Sequence, residues 1–117
     1  MILIVEDQPT ARRAMQQLLR FNGYETQAVG SAEEALQLAD DGQVPDVALV
    51  DVHLPGMNGV DLVENLCYRN PALFPVFITS CEREDLPPGS VRSPTRYLRK
   101  PLQIDALLKL MGTVGAG

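Results

Sequence analysis

Short apolar runs alternate along this chain with stretches in which hydrophobic residues recur every three or four positions. Residues 2–5, 47–50 and 74–78, apart from Pro75 at the entry of the third, are continuously apolar, as strands covered on both faces are. Residues 24–29 alternate polar with apolar positions and predict an edge strand, and residues 97–98 predict a short last strand. This repeated strand–helix order predicts an α/β fold built on a parallel sheet.

The helical stretches carry their own start and stop signals. Pro9 suits the first turn of a helix that ends at Asn22-Gly23. Ser31 and Glu34 have the spacing of a capping box, and they begin a second helix that ends at Asp41-Gly42. Two later stretches also show helical periodicity, and their apolar stripes are Val60, Val63, Leu66 and Cys67 in one and Ile104, Leu107, Leu108 and Met111 in the other.

Residues 81–96 interrupt this regular pattern. A helix is expected between two parallel strands, but Pro87, Pro88, Gly89 and Pro94 forbid a long one. We therefore predict an atypical, shortened fourth helix region, with a turn or two around residues 83–86 and irregular chain after it. The glycine-rich residues 112–117 do not continue the last helix, so we expect a domain over residues 1–111 and a flexible tail or truncated linker over residues 112–117.

Length and charge limit the possible functions. A chain of 117 residues with 45% hydrophobic content makes one domain. Its 15 acidic and 10 basic residues give a net charge of −5, which argues against nucleic acid or an anionic membrane as the main partner. The chain has 2 cysteines and no apolar run near the roughly 18 residues of a membrane span. We expect a cytoplasmic protein.

Polar groups follow four of the predicted strands. Glu6 and Asp7 follow the first, Asp51 the third, Thr79 the fourth and Lys100 the last. Because the carboxyl ends of parallel strands lie at one edge of a sheet, we expect these side chains in one crevice. Acidic groups at such short range repel each other, and a divalent cation relieves the repulsion. A few carboxylates with room for water and a phosphoryl oxygen suit Mg²⁺.

Each of these residues also has an ordinary structural interpretation. Asp7 could cap the first helix, and Asp51 could accept hydrogen bonds from loop amides. Thr79 could be a common β-branched strand residue, and Lys100 could be a solvated surface lysine. Taken together, they favour an aspartate, Asp51, that acts as a nucleophile and accepts a phosphoryl group.

Three segments resemble the receiver domain of two-component response regulators. They are Ile-Leu-Ile-Val-Glu-Asp-Gln-Pro at residues 2–9, Pro-Asp-Val-Ala-Leu-Val-Asp-Val-His-Leu-Pro-Gly-Met-Asn-Gly at residues 45–59, and Tyr-Leu-Arg-Lys-Pro at residues 97–101. The resemblance covers essentially the whole chain. It implies a flavodoxin-like fold with a single doubly wound five-stranded parallel sheet, in the order 2-1-3-4-5, flanked by helices.

The resemblance also implies the composition of the site. Asp51 is then the phosphoacceptor and one ligand of Mg²⁺. Asp7 is a direct metal ligand, Glu6 binds largely through water, and the backbone carbonyl of His53 completes the protein's share of the ligands. No other cofactor is implied.

Three further residues take roles from the same resemblance. Thr79 and Lys100 would bind phosphoryl oxygens, and Thr79 and Tyr97 would form the switch that responds to phosphorylation. The chain would accept its phosphoryl group from a histidine kinase or a histidine phosphotransfer protein. It would act on an effector domain or a partner protein, and catalyse only its own phosphorylation and dephosphorylation. Dimerisation stays open, because the proline-containing segment falls on the surface through which many receivers pair.

Two alternatives belong to other function classes. A receiver-like module could bind a protein partner independently of phosphorylation. A hydrolase or nucleotide-binding enzyme on the same fold is disfavoured, because His53 stands where a phosphatase of the dehalogenase type has a second acid, and no glycine-rich loop follows the first strand.

Overall fold

The structure is a computed structural model, and it describes residues 1–52, 54, 56–79, 96–99 and 104–111. Strands and helices alternate along residues 1–79. The strands are β1 (Ile2–Val5), β2 (Thr26–Val29), β3 (Val47–Asp51), β4 (Phe74–Thr79) and β5 (Arg96–Arg99). The helices are α1 (Pro9–Phe21), α2 (Ala32–Asp40), α3 (Gly59–Arg69) and α4 (Ile104–Met111). Across the described ranges, no helix combines the length and the apolar character needed to cross a membrane.

All five strands join one parallel sheet in the order β2-β1-β3-β4-β5. The α/β class, the strand order and the edge position of β2 are therefore confirmed. The shortened fourth helix region predicted for residues 81–96 lies outside the described residues, except that β5 already begins at Arg96. The predicted tail, residues 112–117, also lies outside them.

The sheet separates two hydrophobic cores, because successive strand residues point to opposite faces. Leu3 and Val5 of β1 pack with α2 and α3 on one face, where Leu66 is fully buried. Ile2 and Ile4 pack on the other face with α1 and α4. Burial on both faces is what the continuously apolar runs predicted.

Pro75 is the second residue of β4 and lies opposite Ala48 of β3. The N–H of Phe74 donates to the carbonyl of Asp46 at 2.9 Å, so Phe74 is bonded toward the β3 side. Backbone groups alternate along a strand, and the nitrogen of Pro75 therefore faces β5. Pairing between β4 and β5 begins only at Val76. The missing donor of Pro75 thus removes no bond between β3 and β4, which is why proline is tolerated here.

The helix ends follow the signals in the sequence. Pro9 occupies the first turn of α1, and Gly23, just beyond its end, has a φ of +89° that only glycine adopts without strain. The hydroxyl of Ser31 accepts a hydrogen bond from the N–H of Glu34 at 3.1 Å, as predicted for the second helix. The carboxylate of Glu34 in turn accepts from the N–H of Gly30 at 3.3 Å.

Candidate functional site

Three carboxylates meet at the carboxyl edge of the sheet. Oxygen atoms of Glu6, Asp7 and Asp51 all lie within 4.8 Å of one another. Glu6 is fully buried, Asp51 is 5% exposed and Asp7 is exposed. The acids that the sequence placed in one crevice are therefore brought together.

Register explains why these acids meet. Val5 of β1 is paired with Val50 of β3, so the next residues of the two strands, Glu6 and Asp51, emerge at the same level. From β1 the chain continues into α1 on one face of the sheet, and from β3 it continues into α3 on the other. The acids thus stand at the switch point of the sheet, where the connections diverge and leave a crevice.

The β1–α1 connection does not use Asp7 as a helix cap. The residue at the N-cap of α1 is Gln8, and its side chain makes no capping hydrogen bond. The N–H of Gln8 instead donates to the carboxylate of Glu6 at 3.2 Å. The capping interpretation of Asp7 is thereby replaced by one in which its exposed carboxylate stands beside those of Glu6 and Asp51.

The backbone of Glu6 is held from two sides. Its N–H donates to the carbonyl of Val29 at 3.1 Å, and its own carbonyl accepts from the guanidinium of Arg12 at 3.0 Å. Arg12 reaches this carbonyl across Gly30, where a Cβ would lie 2.7 Å from Nη1. The sequence pattern does not single out Arg12 or Gly30, since an arginine on a helix and a glycine after a strand are common.

The β3–α3 connection is held equally closely. The N–H of Val52 donates to the carbonyl of Ile78 at 3.1 Å, and the N–H of Gly59 donates to the carbonyl of Val52 at 3.3 Å. Gly59 lies against Asp51, because a Cβ at position 59 would clash with the carbonyl oxygen of Asp51 and lie 3.2 Å from its carbonyl carbon. The only sequence signal for this contact was a glycine eight residues after Asp51.

The remaining predicted site residues are described only in part. Thr79 ends β4 one residue beyond Ile78, the partner of Asp51, and the backbone of Tyr97 is paired with that of Phe77. The side chains of Thr79 and Tyr97 lie outside what the structure describes, and so do His53 and Lys100 altogether. The roles predicted for these four residues stay predictions.

The donor set fits a small oxygen-binding cation. Carboxylate ligands suit Mg²⁺, Ca²⁺ or Mn²⁺ rather than metals that prefer nitrogen or sulfur. Mg²⁺–oxygen distances of about 2.0–2.1 Å allow two ligands of one ion to be at most about 4.2 Å apart. The 4.8 Å limit on the separations is therefore compatible with two direct ligands and a third that binds through water. Clustering three acids, two of them buried, costs free energy that a cation would offset.

Comparison with known proteins gives a consistent family. The family model described as the response regulator receiver domain matches residues 2–111. Protein PilH of Pseudomonas aeruginosa is 30% identical over 119 residues, covering 99% of this chain and 98% of that protein. A solved signal receiver domain of a modulated diguanylate cyclase from Desulfovibrio desulfuricans G20 superposes with a TM-score of 0.83 at 33% identity, covering 97% of this chain and 90% of the other.

Other relatives are much longer than this chain. A cyclic di-GMP phosphodiesterase of Thermotoga maritima is 32% identical over 107 residues, which is 91% of this chain but 28% of that protein. The chain spans between 28% and 55% of the length of the first curated relatives it matches. The match to these proteins therefore concerns one of their parts.

Proposed function

The chain belongs to the response regulator receiver domain family, and from this membership we propose that it is a signalling switch in which Asp51 accepts a phosphoryl group. The family is one of signalling domains in bacterial two-component systems, and phosphorylation-dependent switching is its general property.

One observation carries the proposal. The buried carboxylate of Asp51 lies within 4.8 Å of two further carboxylates, at the end of the sheet where ligands of this architecture bind. A structural aspartate would not need two acidic neighbours, because like charges at this distance oppose each other. The cluster is better explained by a bound cation and an incoming phosphoryl group.

Phosphoryl transfer requires positioning more than new covalent chemistry from the protein. A carboxylate oxygen of Asp51 attacks the phosphorus, and a bond from oxygen to phosphorus forms. The bond between phosphorus and the histidine nitrogen of the donor breaks, and that nitrogen keeps the electron pair. The donor is a phosphorylated histidine kinase or phosphotransfer protein, and Asp51 holds the group as an aspartyl phosphate.

Glu6, Asp7 and Asp51 would hold Mg²⁺ together with the carbonyl of His53, with Glu6 binding through water. When bound, Mg²⁺ would offset the negative charge of the carboxylates and of the phosphoryl oxygens. The exposed position of Asp7 supports a direct contact with an ion that keeps several water ligands.

Switching follows from contacts to the new phosphoryl group. Thr79 and Lys100 each donate a hydrogen bond to a charged acceptor, and each such bond contributes about 1.5–3 kcal/mol. Two of them contribute roughly 3–6 kcal/mol, and inverting a 1:99 equilibrium needs about 5.5 kcal/mol. Near the top of that range, the two contacts are just adequate to draw Thr79 toward the phosphoryl group and to let Tyr97 turn inward behind it.

The output is an effector domain or a separate partner protein. PilH, matched over 98% of its length, is consistent with action on a separate partner protein. The Thermotoga maritima protein, matched over 28% of its length, is consistent with an effector domain in the same chain. The acidic net charge of −5 supports a protein rather than a nucleic acid as the surface that this domain contacts. We place these events in the cytoplasm, where histidine kinases transfer phosphoryl groups, and cell fractionation tests this location.

The proposal is tested by phosphorylating the protein directly. The chain is incubated with acetyl phosphate and Mg²⁺, and its intact mass is measured over time. We expect a phosphoryl mass increment that is absent without Mg²⁺ and absent in Asp51→Asn. Asp61→Asn is the matched control, because Asp61 is an exposed aspartate on α3 and its change removes the same charge. The control variant should be phosphorylated like the unaltered protein.

Two results would count against the proposal. No increment with acetyl phosphate or with a phosphorylated kinase would favour a binding module that works without phosphorylation. An increment that persists in Asp51→Asn would place the acceptor elsewhere. The switch itself is tested by NMR of the Tyr97 ring with Mg²⁺ and beryllofluoride, and an unchanged ring environment would refute the role given to Tyr97.

A further inference from the structure

We infer that Arg12 is a positioning residue for the acidic site, acting by fixing the backbone of the β1–α1 connection that carries Glu6 and Asp7. The inference rests on the proposed function, because it concerns how well the same carboxylates bind a metal. Its basis is the hydrogen bond of 3.0 Å from Nη1 of Arg12 to the carbonyl of Glu6.

Glu6 lies just beyond the end of β1. β1 ends at Val5, although the N–H of Glu6 still donates to the carbonyl of Val29 of β2. Glu6 is fully buried, and a buried backbone carbonyl requires a donor. Arg12, half-buried on the first turns of α1, provides a charged donor to it. The bond therefore ties α1 to the residue just after the strand.

Gly30 provides the space through which Arg12 reaches that carbonyl. A Cβ at position 30 would lie 2.7 Å from Nη1 and 3.6 Å from Cζ of Arg12. The first distance is shorter than real Cβ contacts, so the guanidinium, as the end of a flexible side chain, would have to move. The backbone would not resist the change, because Gly30 is not one of the glycines with positive φ. Alanine at position 30 should displace Arg12 without unfolding the strand or the helix.

Two effects of Arg12 on a bound cation have opposite signs. Holding the Glu6 backbone in place favours binding, because the carboxylates are then already close together. The positive charge of the guanidinium beside Glu6 opposes binding by repulsion. If positioning dominates, losing the contact weakens metal binding; if charge dominates, losing the guanidinium strengthens it. The sign of the change therefore distinguishes the two.

The test compares two ways of breaking the contact. Arg12→Gln removes the guanidinium, and Gly30→Ala keeps it but moves it. Arg13→Gln is the matched control, because Arg13 is the neighbouring, exposed arginine of α1 and its change removes the same charge. Binding of Mn²⁺ to the unphosphorylated full chain is measured by electron paramagnetic resonance. We expect about tenfold weaker binding in both Arg12→Gln and Gly30→Ala, the lower end for loss of an outer partner of a metal site.

Phosphorylation kinetics give a second readout that a loss of stability alone would not produce. We expect both variants to need about tenfold more Mg²⁺ for half-maximal phosphorylation by acetyl phosphate, while the rate at saturating Mg²⁺ changes little. Arg12→Lys, which can still bring one donor to the carbonyl, should be intermediate. Arg13→Gln should bind Mn²⁺ within about twofold of the unaltered protein, since an exposed charge is largely screened.

Each outcome is decisive. Unchanged Mn²⁺ affinity in both Arg12→Gln and Gly30→Ala would overturn the inference, and so would tighter binding in Arg12→Gln, because the charge of the guanidinium would then dominate over positioning. If Arg12→Gln does not fold, Gly30→Ala alone carries the test. An unaltered protein that binds no Mn²⁺ would instead refute the proposed metal site itself.

Discussion

Replacing Gly59 with alanine should displace the proposed phosphoacceptor. A Cβ at this position would clash with the carbonyl oxygen of Asp51, and it would lie 3.0 Å from Cγ1 of Val50 and 3.2 Å from the carbonyl carbon of Asp51. Ordinary contact begins at 3.4 Å, so that carbon must retreat by at least the difference of a few tenths of an ångström. Two of these three atoms belong to the backbone at the end of β3, and the third belongs to the short, branched side chain of Val50, so no flexible side-chain end can absorb the shift.

The expected cost follows from two opposing effects. Overpacking of this kind costs about 1–3 kcal/mol. Alanine in a helix is better than glycine by up to about 1 kcal/mol, which offsets part of that cost. We expect Gly59→Ala to lower the free energy of unfolding by about 1–2 kcal/mol, seen as a urea midpoint lower by roughly 1 M. Since a misplacement of 1 Å can cost about 10²-fold in rate, this smaller shift should slow phosphorylation by acetyl phosphate about tenfold.

Gly23→Ala is the control for Gly59→Ala, because it should lower stability by a similar amount without changing the surroundings of Asp51. Gly23 has a φ of +89° and nothing within 4 Å of a Cβ, so alanine there is strained but meets no clash. The cost should be similar, about 1–2 kcal/mol. Gly23 follows α1 and precedes β2, so it lies at the amino ends of the strands, whereas the acids lie at their carboxyl ends. Equal phosphorylation rates in Gly59→Ala and Gly23→Ala would refute the view that Gly59 protects the position of Asp51.

Three further predictions concern stability, and urea unfolding measures each. Ser31→Ala removes the hydroxyl that accepts from the N–H of Glu34 and should cost about 1 kcal/mol, whereas Ser31→Gly should cost only a few tenths of a kcal/mol. Equal losses in the two variants would contradict a capping role. Leu66→Ala leaves a cavity beside α3 at a fully buried position and should cost about 2–5 kcal/mol, so a loss below about 1 kcal/mol would mean that the core is not closely packed there. Asp40→Asn breaks the 2.5 Å ion pair with Arg69, in which the side chain of Asp40 is 57% exposed and that of Arg69 is 32% exposed. It should cost at most about 1 kcal/mol, and less in high salt. A larger loss that salt does not change would show that Asp40 acts in another way.

The hydrophobic pattern predicted the strands but not their ends. The apolar run at residues 47–50 predicted β3, yet the strand extends to Asp51, because Asp51 is still paired with Ile78 of β4. The alternating run at residues 24–29 predicted β2 from Tyr24, yet the strand begins at Thr26 opposite Ile2. Strand ends depend on where a neighbour offers a partner, and a local pattern does not contain that information.

The meeting of the three acids was predictable for a related reason. Glu6 and Asp51 each follow an apolar run directly, Asp7 comes one residue later, and parallel strands place such positions at one edge of the sheet. Strand order decided whether they were neighbours, and β1 does lie beside β3. The hydrophobic pattern and the strand order together therefore predict that the three acids meet.

The supports of those acids were decided by the tertiary structure alone. Arg12 reaches the carbonyl of Glu6 only because β2 brings Gly30 beside it without a side chain, and Gly59 abuts Asp51 only because α3 begins against the end of β3. These contacts join residues from different elements, and they depend on interatomic distances to within a few tenths of an ångström. Periodicity records which face of an element is apolar, whereas close contacts between elements arise only when the cores on both faces have packed.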